Sequence, residues 1–405
     1  MNKSKDNIET YTFEKLNQLK KEIRQRRQSS VSPPSGAVIV EELPTEVIHK
    51  KIHLIARNLL NQIKNKIPPV IHIPERSGDN IIYDEENDLL LLGGKKSSRE
   101  LLTLSPRKKK EKKEQPGANI CTMTMRVLEI IHTLVEKDIH ATKREIFYND
   151  VNLFKDQVNS DNVIDDIPPL LNTTRDSTHI VASAKGMAIG RLVIEDSGDV
   201  IDLTKLGSGG WSITPFLDKI RIIESDAEFI LVVEKDAALI RLSEAKWWNK
   251  YPCIIITGKG SADIATRSFL RKLVKTLKIP AFALMDSDPY GYYIYSVYLR
   301  GSKRLSYESP FLATPELKLL GVLSRDLDSY KIPKECWLKM SETDLKRAKE
   351  LLKEPFVQKN KNWVKDLELM IELKRKAEIQ ALSSRGFEFL TNTYLPQKLS
   401  TGDWI

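Results

Sequence analysis

The apolar positions of the C-terminal half form short, nearly continuous runs that alternate with amphipathic stretches. EFILVV (228–233), CIIITG (253–258) and AFALM (281–285) have the composition of strands buried on both faces. Residues 236–248 and 261–278 lie between them and are predicted to be helices. This alternation predicts a parallel α/β sheet, and ligands of such sheets bind outside the carboxyl ends of the strands.

The preceding segment has a helical period instead. Residues 120–137 place apolar side chains on one helical face, and a second helix is predicted to open at Thr142, an N-cap with Glu145 three residues later. A third helix is predicted to begin near Ser160, followed by a hairpin over 180–196. This order is typical of a winged-helix DNA-binding domain. A helical module with no nucleic-acid role has the same pattern and stays open as an alternative.

The N-terminal part combines polar and folded patterns. Its first segment contains KKEIRQRRQ and SSVSPPSG, which predict a flexible basic arm because they cannot bury a core. The run SPRKKKEKKEQPG (105–117) is interpreted as a solvated linker. The predicted organisation is a flexible basic arm (1–38), a small α+β region with a charged linker (39–117), a winged-helix domain (118–196) and an α/β domain with C-terminal covering helices (197–405).

Composition narrows the class of protein. The 405 residues include 64 Lys and Arg against 55 Asp and Glu, a net charge of +9 that suits a polyanionic partner but that an ordinary solvated surface can also carry. The apolar runs are too short to span a membrane, and the N-terminus lacks the apolar stretch of a secretory signal. Three scattered cysteines argue against a disulfide framework. We therefore expect no membrane association and a reducing compartment.

Acidic residues follow two of the predicted strands. Glu234 comes directly after the first strand, and Asp286 and Asp288 follow the third. Because parallel strands end at one edge of a sheet, the three carboxylates are expected to converge. No histidine follows His179, so a metal held here would need oxygen ligands, which favours Mg²⁺. The alternative is that these carboxylates only cap the neighbouring helices.

A second candidate lies in the predicted helix TKREIFYND (142–150). Arg144 and Tyr148 are four residues apart and hence on the same helical face. A tyrosine hydroxyl is a weak nucleophile unless a cation favours its oxyanion, and Arg144 could supply that cation and stabilise charge on a phosphate. Taken alone, Tyr148 would more often be an ordinary surface or core residue.

These stretches together resemble a known family. ILVVEKDAAL (230–239), ITGKGSADIATR (256–267) and MDSDPYGYYIY (285–295) look like a Toprim domain, the metal-binding module of topoisomerases and primases. With TKREIFYND, SDNVID, IVASAKGMAIG and the terminal STGDWI, most of residues 44–405 resembles the DNA-cleaving subunits of type IIB topoisomerases, a family that shares ancestry with the meiotic double-strand-break protein. The resemblance implies that Tyr148 is the catalytic tyrosine, that Arg144 supports it, and that Glu234, Asp286 and Asp288 hold Mg²⁺.

The same stretches suggest DNA contacts. The loop Gly258-Lys259-Gly260 follows a predicted strand and could hold a backbone phosphate, although it does not match a nucleotide P-loop. Ser261 and Ala262 stand where the family usually has an aromatic residue and a proline, which puts local loop contacts in doubt. Three residues are candidate DNA contacts: Lys185, Lys259 and Arg267.

The resemblance also implies an activity and partners. It implies a subunit that cuts double-stranded DNA through a 5′-phosphotyrosyl link and reseals it, working as a homodimer with a separate ATPase B subunit in an A₂B₂ heterotetramer. The expected location is the cytoplasm, at the nucleoid. A meiotic-type enzyme that breaks DNA without efficient resealing, and would be nuclear, is the first alternative. A non-cleaving architectural DNA-binding protein is the second.

Overall fold

A computed structural model describes residues 12–25, 32–100, 117–181 and 184–405. The chain divides into two compact units. The sheet unit comprises the described parts of Met1–Ser30, Ala184–Arg300 and Leu312–Ile405, and the helical unit comprises those of Val31–Ser183 together with Gly301–Phe311. No helix in the described ranges is long and apolar enough to cross a membrane.

The helices and strands follow one another along the chain with these bounds. The helices are α1 (Glu14–Gln25), α2 (Thr45–Lys64), α3 (Gly117–Glu136), α4 (Lys143–Asn149), α5 (Val151–Phe154), α6 (Gln157–Leu171), α7 (Asp236–Glu244), α8 (Trp247–Lys250), α9 (Ile264–Leu277), α10 (Pro289–Arg300), α11 (Ser309–Leu312), α12 (Asp326–Ser329), α13 (Glu342–Leu352), α14 (Pro355–Gln358), α15 (Lys361–Leu373) and α16 (Leu395–Thr401). The strands are β1 (Val70–Pro74), β2 (Ile81–Asp84), β3 (Leu89–Leu92), β4 (Lys96–Glu100), β5 (Ala141–Thr142), β6 (Ile180–Val181), β7 (Met187–Gly190), β8 (Val193–Asp196), β9 (Asp199–Asp202), β10 (Trp211–Ser212), β11 (Ile220–Glu224), β12 (Phe229–Val233), β13 (Cys253–Thr257), β14 (Ala281–Leu284), β15 (Leu317–Gly321), β16 (Leu338–Lys339) and β17 (Arg375–Lys376).

A six-stranded sheet forms the centre of the sheet unit. Its order is β10-β7-β13-β12-β14-β15, and β13, β12, β14 and β15 are parallel. The three predicted strands are therefore confirmed, as are the helices α7 and α9 between them. Every residue of β12, β13 and β14 is buried, which is why these strands lack the alternation of a half-exposed strand.

The predicted flexible arm is wrong for part of its length. Residues 14–25 form α1, and Leu16 joins the apolar core of the sheet unit. Lys20 on the same helix makes an ion pair with Glu228, just before β12. The sequence of α1 is amphipathic, but the polar and basic composition around it favours a flexible segment, which is why the helix was not predicted. The remainder of the predicted arm that falls on residues 1–11 and 26–31 lies outside the described residues.

The predicted hairpin over 180–196 is also wrong. β6 pairs with β5 in the helical unit, β7 pairs with β13 and β10 in the six-stranded sheet, and β8 pairs with β9 and β11. Gly190, at φ +110°, ends β7 where a Cβ would lie 2.4 Å from the carbonyl oxygen of Cys253. That glycine permits close pairing with β13 and does not form a hairpin bend. The segment that looked like one hairpin instead joins three sheets.

The helical unit is built around α2, α3 and α6, whose buried apolar side chains form one cluster. α4 begins with the predicted capping box, in which Thr142 and Glu145 bond each other's backbone amides. The third helix begins at Gln157, slightly earlier than predicted, because Asp156 caps it. The charged linker predicted over 105–117 lies outside the described residues except for Gly117, where α3 begins. The domain boundary predicted near Gly117 falls inside the helical unit.

Candidate active site

The ends of β12 and β14 bring two of the predicted carboxylates together. Val233 pairs with Leu284 in the parallel register, so Glu234 and Asp286 follow neighbouring strand ends. The backbone amide of Asp286 donates a hydrogen bond to a carboxylate oxygen of Glu234 over 2.8 Å. Gly291 packs against this turn, where a Cβ would lie 2.4 Å from the carbonyl oxygen of Asp286. The backbone geometry thus places both acids at one edge of the sheet, as predicted.

Burial makes these acids electrostatically unusual. Glu234 and Asp286 are only 6% and 5% exposed. Burial, followed by the nearby charges of Asp286 and Asp288, raises the pKa of Glu234 to about 7. Burial also raises the pKa of Asp286, although Lys235 opposes this shift. Because the ionised forms of these acids are unfavourable here, a bound cation would stabilise them.

The helix-capping interpretation is partly correct. Asp288 accepts a hydrogen bond from the amide of Gly291 in the first turn of α10, at 2.6 Å. Asp286 accepts one from the amide of Ile379 at 2.8 Å. Each of these bonds uses one carboxylate oxygen, so each side chain keeps its other oxygen for a second partner. Capping and cation binding are therefore compatible.

Lys235 supplies that second partner for Asp286 in this conformation. Its ammonium lies 2.8 Å from Asp286, 2.9 Å from Glu378 and 3.3 Å from the side-chain oxygen of Gln380. Sequence reasoning missed both Lys235 and Glu378. The position of Lys235 directly after Glu234 was visible, but Glu378 follows 144 residues after Glu234 by numbering (378 − 234), and only the fold brings it here.

Within the described residues, no three or more carboxylate, imidazole or thiol groups are arranged so that they could hold a metal ion as they stand. The acids at the strand ends nevertheless fit Mg²⁺ in chemistry, because they offer hard oxygen atoms and no soft ligand. The raised pKa of Glu234 fits as well. A divalent cation here would compete with Lys235 for Asp286.

The predicted DNA-contacting residues fall into two groups. Lys185 and Lys259 are exposed neighbours, since the Lys185 ammonium donates to the Lys259 carbonyl oxygen over 3.3 Å. The same loop is held beside the end of β12, because the amide of Gly260 donates to the backbone carbonyl oxygen of Glu234 at 2.7 Å. Arg267 is only 2% exposed. Its guanidinium lies inside the sheet unit, so the expected surface contact of Arg267 with DNA is corrected.

Tyr148 and Arg144 share one face of α4 in the helical unit. The Tyr148 side chain is 65% exposed, and Arg144 one turn earlier is exposed as well. The buried neighbour Ile146 and the half-buried Phe147 fix the opposite side of the helix in the apolar core. α4 therefore presents the tyrosine hydroxyl and the guanidinium to solvent from an anchored backbone. The helical unit holds this pair, whereas the sheet unit holds the three carboxylates.

A buried charge cluster anchors α4, and sequence reasoning missed it. Asp165 of α6 is 1% exposed and accepts Lys143, the first residue of α4, at 2.5 Å. Arg304 lies 2.7 Å from its second oxygen, and Arg175 also contacts it. Burial alone would raise the pKa of Asp165, but Arg175, Lys143 and Arg304 together lower it to about 2. The sequence gives one indication of this cluster, because two acidic residues interrupt the otherwise apolar run NVIDDIPPLL and would need partners if buried.

The parallel sheet with acids at its strand ends and the exposed tyrosine on a capped helix are compatible with a DNA-cleaving topoisomerase, and comparison with known proteins identifies the class. Two family models match the chain. The Toprim domain of the family that unites the A chain of topoisomerase 6 with Spo11 matches residues 229–399, and the "Type IIB DNA topoisomerase" model matches residues 120–180. The chain belongs to this topoisomerase 6 and Spo11 family, and it is an enzyme subunit of the type IIB class.

Three relatives show the breadth of this family. The A3 subunit of DNA topoisomerase 6 from Oryza sativa is 53% identical over 72% of this chain and 67% of its own length. The corresponding A-type subunit of type 2 DNA topoisomerase 6 from Aeropyrum pernix is 39% identical over 89% of this chain and 95% of its own. Meiotic recombination protein SPO11 of Homo sapiens is 38% identical over 70% and 72%. The match thus covers about two thirds of the plant protein and nearly all of the archaeal one.

Proposed function

We propose that Tyr148 is the nucleophile of a reversible DNA transesterification. Its hydroxyl oxygen attacks a backbone phosphorus, the bond from phosphorus to the 3′ oxygen breaks, and a proton balancing the one lost by tyrosine converts the released 3′ oxygen into a hydroxyl. The DNA 5′ end then remains joined to Tyr148, and the reverse step reseals the strand. The observation that carries the proposal is the 65% exposure of Tyr148 on the capped helix α4.

Arg144 is proposed to support the attack. It lies one helical turn before Tyr148 on the same exposed face. A guanidinium remains protonated throughout and offers a planar set of donors to phosphate oxygens. Arg144 would hold the phosphate next to the tyrosine and stabilise the charge that builds on its oxygens during the transfer.

Glu234, Asp286 and Asp288 are proposed to hold Mg²⁺. Bound Mg²⁺ would supply positive charge that stabilises the phosphate and the leaving oxygen. Lys235 would then give up Asp286 and retain Glu378, its other carboxylate partner. The pKa of Glu234 near 7 means that metal binding should strengthen as the pH rises through neutrality, because Glu234 must lose its proton first.

DNA is proposed to contact the surface beside these acids and the helices around Tyr148. Lys185 and Lys259 form the basic pair next to the end of β12, where phosphate oxygens could be bound. The helices α3, α4 and α6 with the short β5–β6 pair are proposed to act as a winged-helix-type DNA-binding domain, although the wing predicted over 180–196 is not formed by those residues. Arg267 is buried and therefore is not among the proposed DNA contacts.

The proposed assembly is a homodimer of this chain with a separate ATPase B subunit, giving a heterotetramer of composition A₂B₂. Cutting both strands of a duplex requires two tyrosines, which a dimer provides. The sequence contains no nucleotide P-loop, so the energy for strand passage would come from another subunit. The proposed location is the cytoplasm, at the nucleoid, or the nucleus if the meiotic alternative holds.

Trapping with denaturant tests the chemistry. The full-length chain is incubated with 3′-end-labelled duplex and Mg²⁺, then denatured and separated by electrophoresis. Label that migrates with protein supports a transesterase, whereas a non-cleaving architectural protein would leave none. The similarity to human meiotic SPO11 keeps a break-forming enzyme as the second candidate. Chelating Mg²⁺ before denaturation separates the two, because a topoisomerase should then reseal its breaks.

Complementation tests a shared active site. We propose that Tyr148 of one protomer works with the carboxylates of its partner, which would make cutting conditional on dimer formation. Chains with Tyr148→Phe are mixed with chains with Glu234→Ala so that heterodimers form. A shared site leaves one intact pair per heterodimer, so single-strand nicks should reappear. A mixture no more active than either variant alone would refute sharing.

A further inference from the structure

Two exposed tyrosines and an arginine form a compact surface directly after the acidic pair. Tyr290 and Tyr293 lie in the first two turns of α10 and are 42% and 40% exposed. The guanidinium of Arg347, on α13, lies over both rings, 5.1 Å from the centre of Tyr290 and 5.5 Å from that of Tyr293. We call Tyr290, Tyr293 and Arg347 the tyrosine–arginine shelf.

The shelf leaves its charge available. Arg347 has no carboxylate partner within the part of the chain that the structure describes, and neither tyrosine hydroxyl has a hydrogen-bond partner there. A guanidinium offers a planar set of N–H donors that matches the oxygens of a phosphate, and it can do so while it stacks on an aromatic face. The shelf therefore combines one uncompensated positive charge, a restricted donor geometry and two flanking hydroxyl groups.

A second arginine in the sheet unit provides a contrast. Arg241 on α7 also lies over an aromatic ring, 5.7 Å from the centre of Phe387. Its guanidinium, however, is paired with Glu244 at 3.3 Å. Stacking alone is thus an ordinary way to cover apolar surface with an arginine stem. The absence of a carboxylate partner distinguishes Arg347 from Arg241 in the described structure.

The position of the shelf next to the proposed metal ligands favours DNA as its ligand. Tyr290 and Tyr293 follow Asp288 by two and five residues, so the shelf is built on the helix that begins directly after the proposed metal ligands. A DNA strand carries one phosphate per nucleotide, so DNA bound at these acids would bring further backbone phosphates close to them. Resting on the proposed DNA cleavage, we propose that the tyrosine–arginine shelf binds a backbone phosphate of the DNA held beside the carboxylates.

Salt-dependent binding tests the shelf. The full-length chain is titrated against a fluorescent duplex in metal-free buffer, where no cleavage interferes, and Kd is followed against salt by anisotropy. Arg347→Met should weaken binding by roughly three- to tenfold at about 0.1 M salt and reduce the slope of log K against log salt by about 0.9, the value for one lost phosphate contact. Arg241→Met is the matched control and should change neither quantity.

Two further variants protect the test from a folding artefact. Arg347→Lys keeps the charge but loses the planar donors, so the salt slope should stay while Kd rises by roughly twofold. Tyr290→Leu with Tyr293→Leu removes the stacking platform and should likewise keep the slope but weaken binding. Thermal melting confirms that each variant is folded.

The outcomes separate this proposal from the proposed cleavage. Wild-type chain that forms the covalent adduct, while Arg347→Met binds DNA with unchanged slope, would overturn the shelf alone. The same conclusion follows if Arg241→Met lowers the slope equally, or if Arg347→Met impairs only assembly with another protein. Wild-type chain that neither binds the duplex nor forms an adduct would overturn the proposed function itself.

Discussion

Two regions of the molecule differ in how far their candidate functional groups are exposed. One is the helix that carries Tyr148, and the other is the pair of strand ends that carry Glu234 and Asp286. Tyr148 is 65% exposed, while the two acids are at most 6% exposed and have hydrogen-bond or ionic partners. The buried charge near α4 is Asp165 of α6, which pairs with Lys143, whereas Tyr148, the proposed nucleophile, lies at the surface. At the strand ends the functional groups themselves are the buried charges.

This difference has a physical reason. A nucleophile must reach a large substrate, so exposure serves it, and rigidity has to come from the anchored backbone beneath it. A cation site gains strength from low dielectric surroundings, so burial serves the acids even though it raises the pKa of Glu234. The two regions should therefore respond differently to substitution. Replacing the exposed Tyr148 on α4 should abolish DNA cleavage without lowering stability. Replacing a buried acid at the strand ends should reduce cleavage and increase stability.

The largest expected effect is on chemistry at α4. Tyr148→Phe should abolish the covalent DNA adduct while leaving thermal stability and DNA affinity nearly unchanged, because it removes one solvated hydroxyl from an exposed ring. Denaturing electrophoresis of labelled DNA measures the adduct. Tyr83→Phe, at a half-buried tyrosine of the same unit, is the control and should still form it. Adduct persisting in Tyr148→Phe would move the nucleophile elsewhere.

The next effect concerns the anchor under α4. Asp165→Asn should destabilise the helical unit by roughly 3–5 kcal/mol, because Lys143, Arg175 and Arg304 would lose a buried counter-charge. Hydrogen exchange measured by mass spectrometry should show faster opening of α4 and α6. Because the pKa of Asp165 is lowered to about 2, its contribution is present at neutral pH and lost as the pH falls from about 4 towards 2.

The control for Asp165 is an exposed acid of the same unit. Asp138→Asn removes the charge of a side chain that is 91% exposed and whose nearest basic partner, His179, is 4.0 Å away, and it should change stability by less than about 0.5 kcal/mol. Exchange rates in α4 that match the wild type in Asp165→Asn would show that the apolar core alone fixes this helix.

The smallest expected effect is a gain in stability, opposite in sign to that of Asp165→Asn, and it concerns Glu234 at the strand ends. In metal-free protein, Glu234 has a raised pKa, so its charging costs stability as the pH rises from about 4.5 to about 7. Glu234→Gln should remove that cost and stabilise the protein by about 1–3 kcal/mol at pH 8, with little effect at pH 4. Thermal unfolding of both proteins across this range measures the difference.

The same substitution should suppress cleavage, since it removes the charge of a proposed Mg²⁺ ligand. Glu195→Gln, at a surface ion pair with Arg221, is the control and should alter neither property. Equal stability of wild type and Glu234→Gln at every pH would mean that Glu234 is not a destabilising buried charge, and the contrast between the two regions would fail.

Local patterns alone determined much of this protein. The apolar runs at 228–233, 253–258 and 281–285 are strands because buried parallel strands need no polar alternation. Thr142 and Glu145 cap α4 as predicted, because a capping box depends only on residues three apart. The convergence of Glu234 and Asp286 followed from strand direction, which a sequence pattern can reveal.

Tertiary structure decided what depends on distant partners. Glu378 reaches Lys235, and Arg304 reaches Asp165, across chain separations that no local pattern records. The segment 180–196 resembled a hairpin, yet its strands pair with three different sheets, because pairing is chosen by the available neighbouring edges. The burial of Arg267 was undetectable for the same reason: the charge of a residue is written in the sequence, but its exposure is set by everything that packs around it.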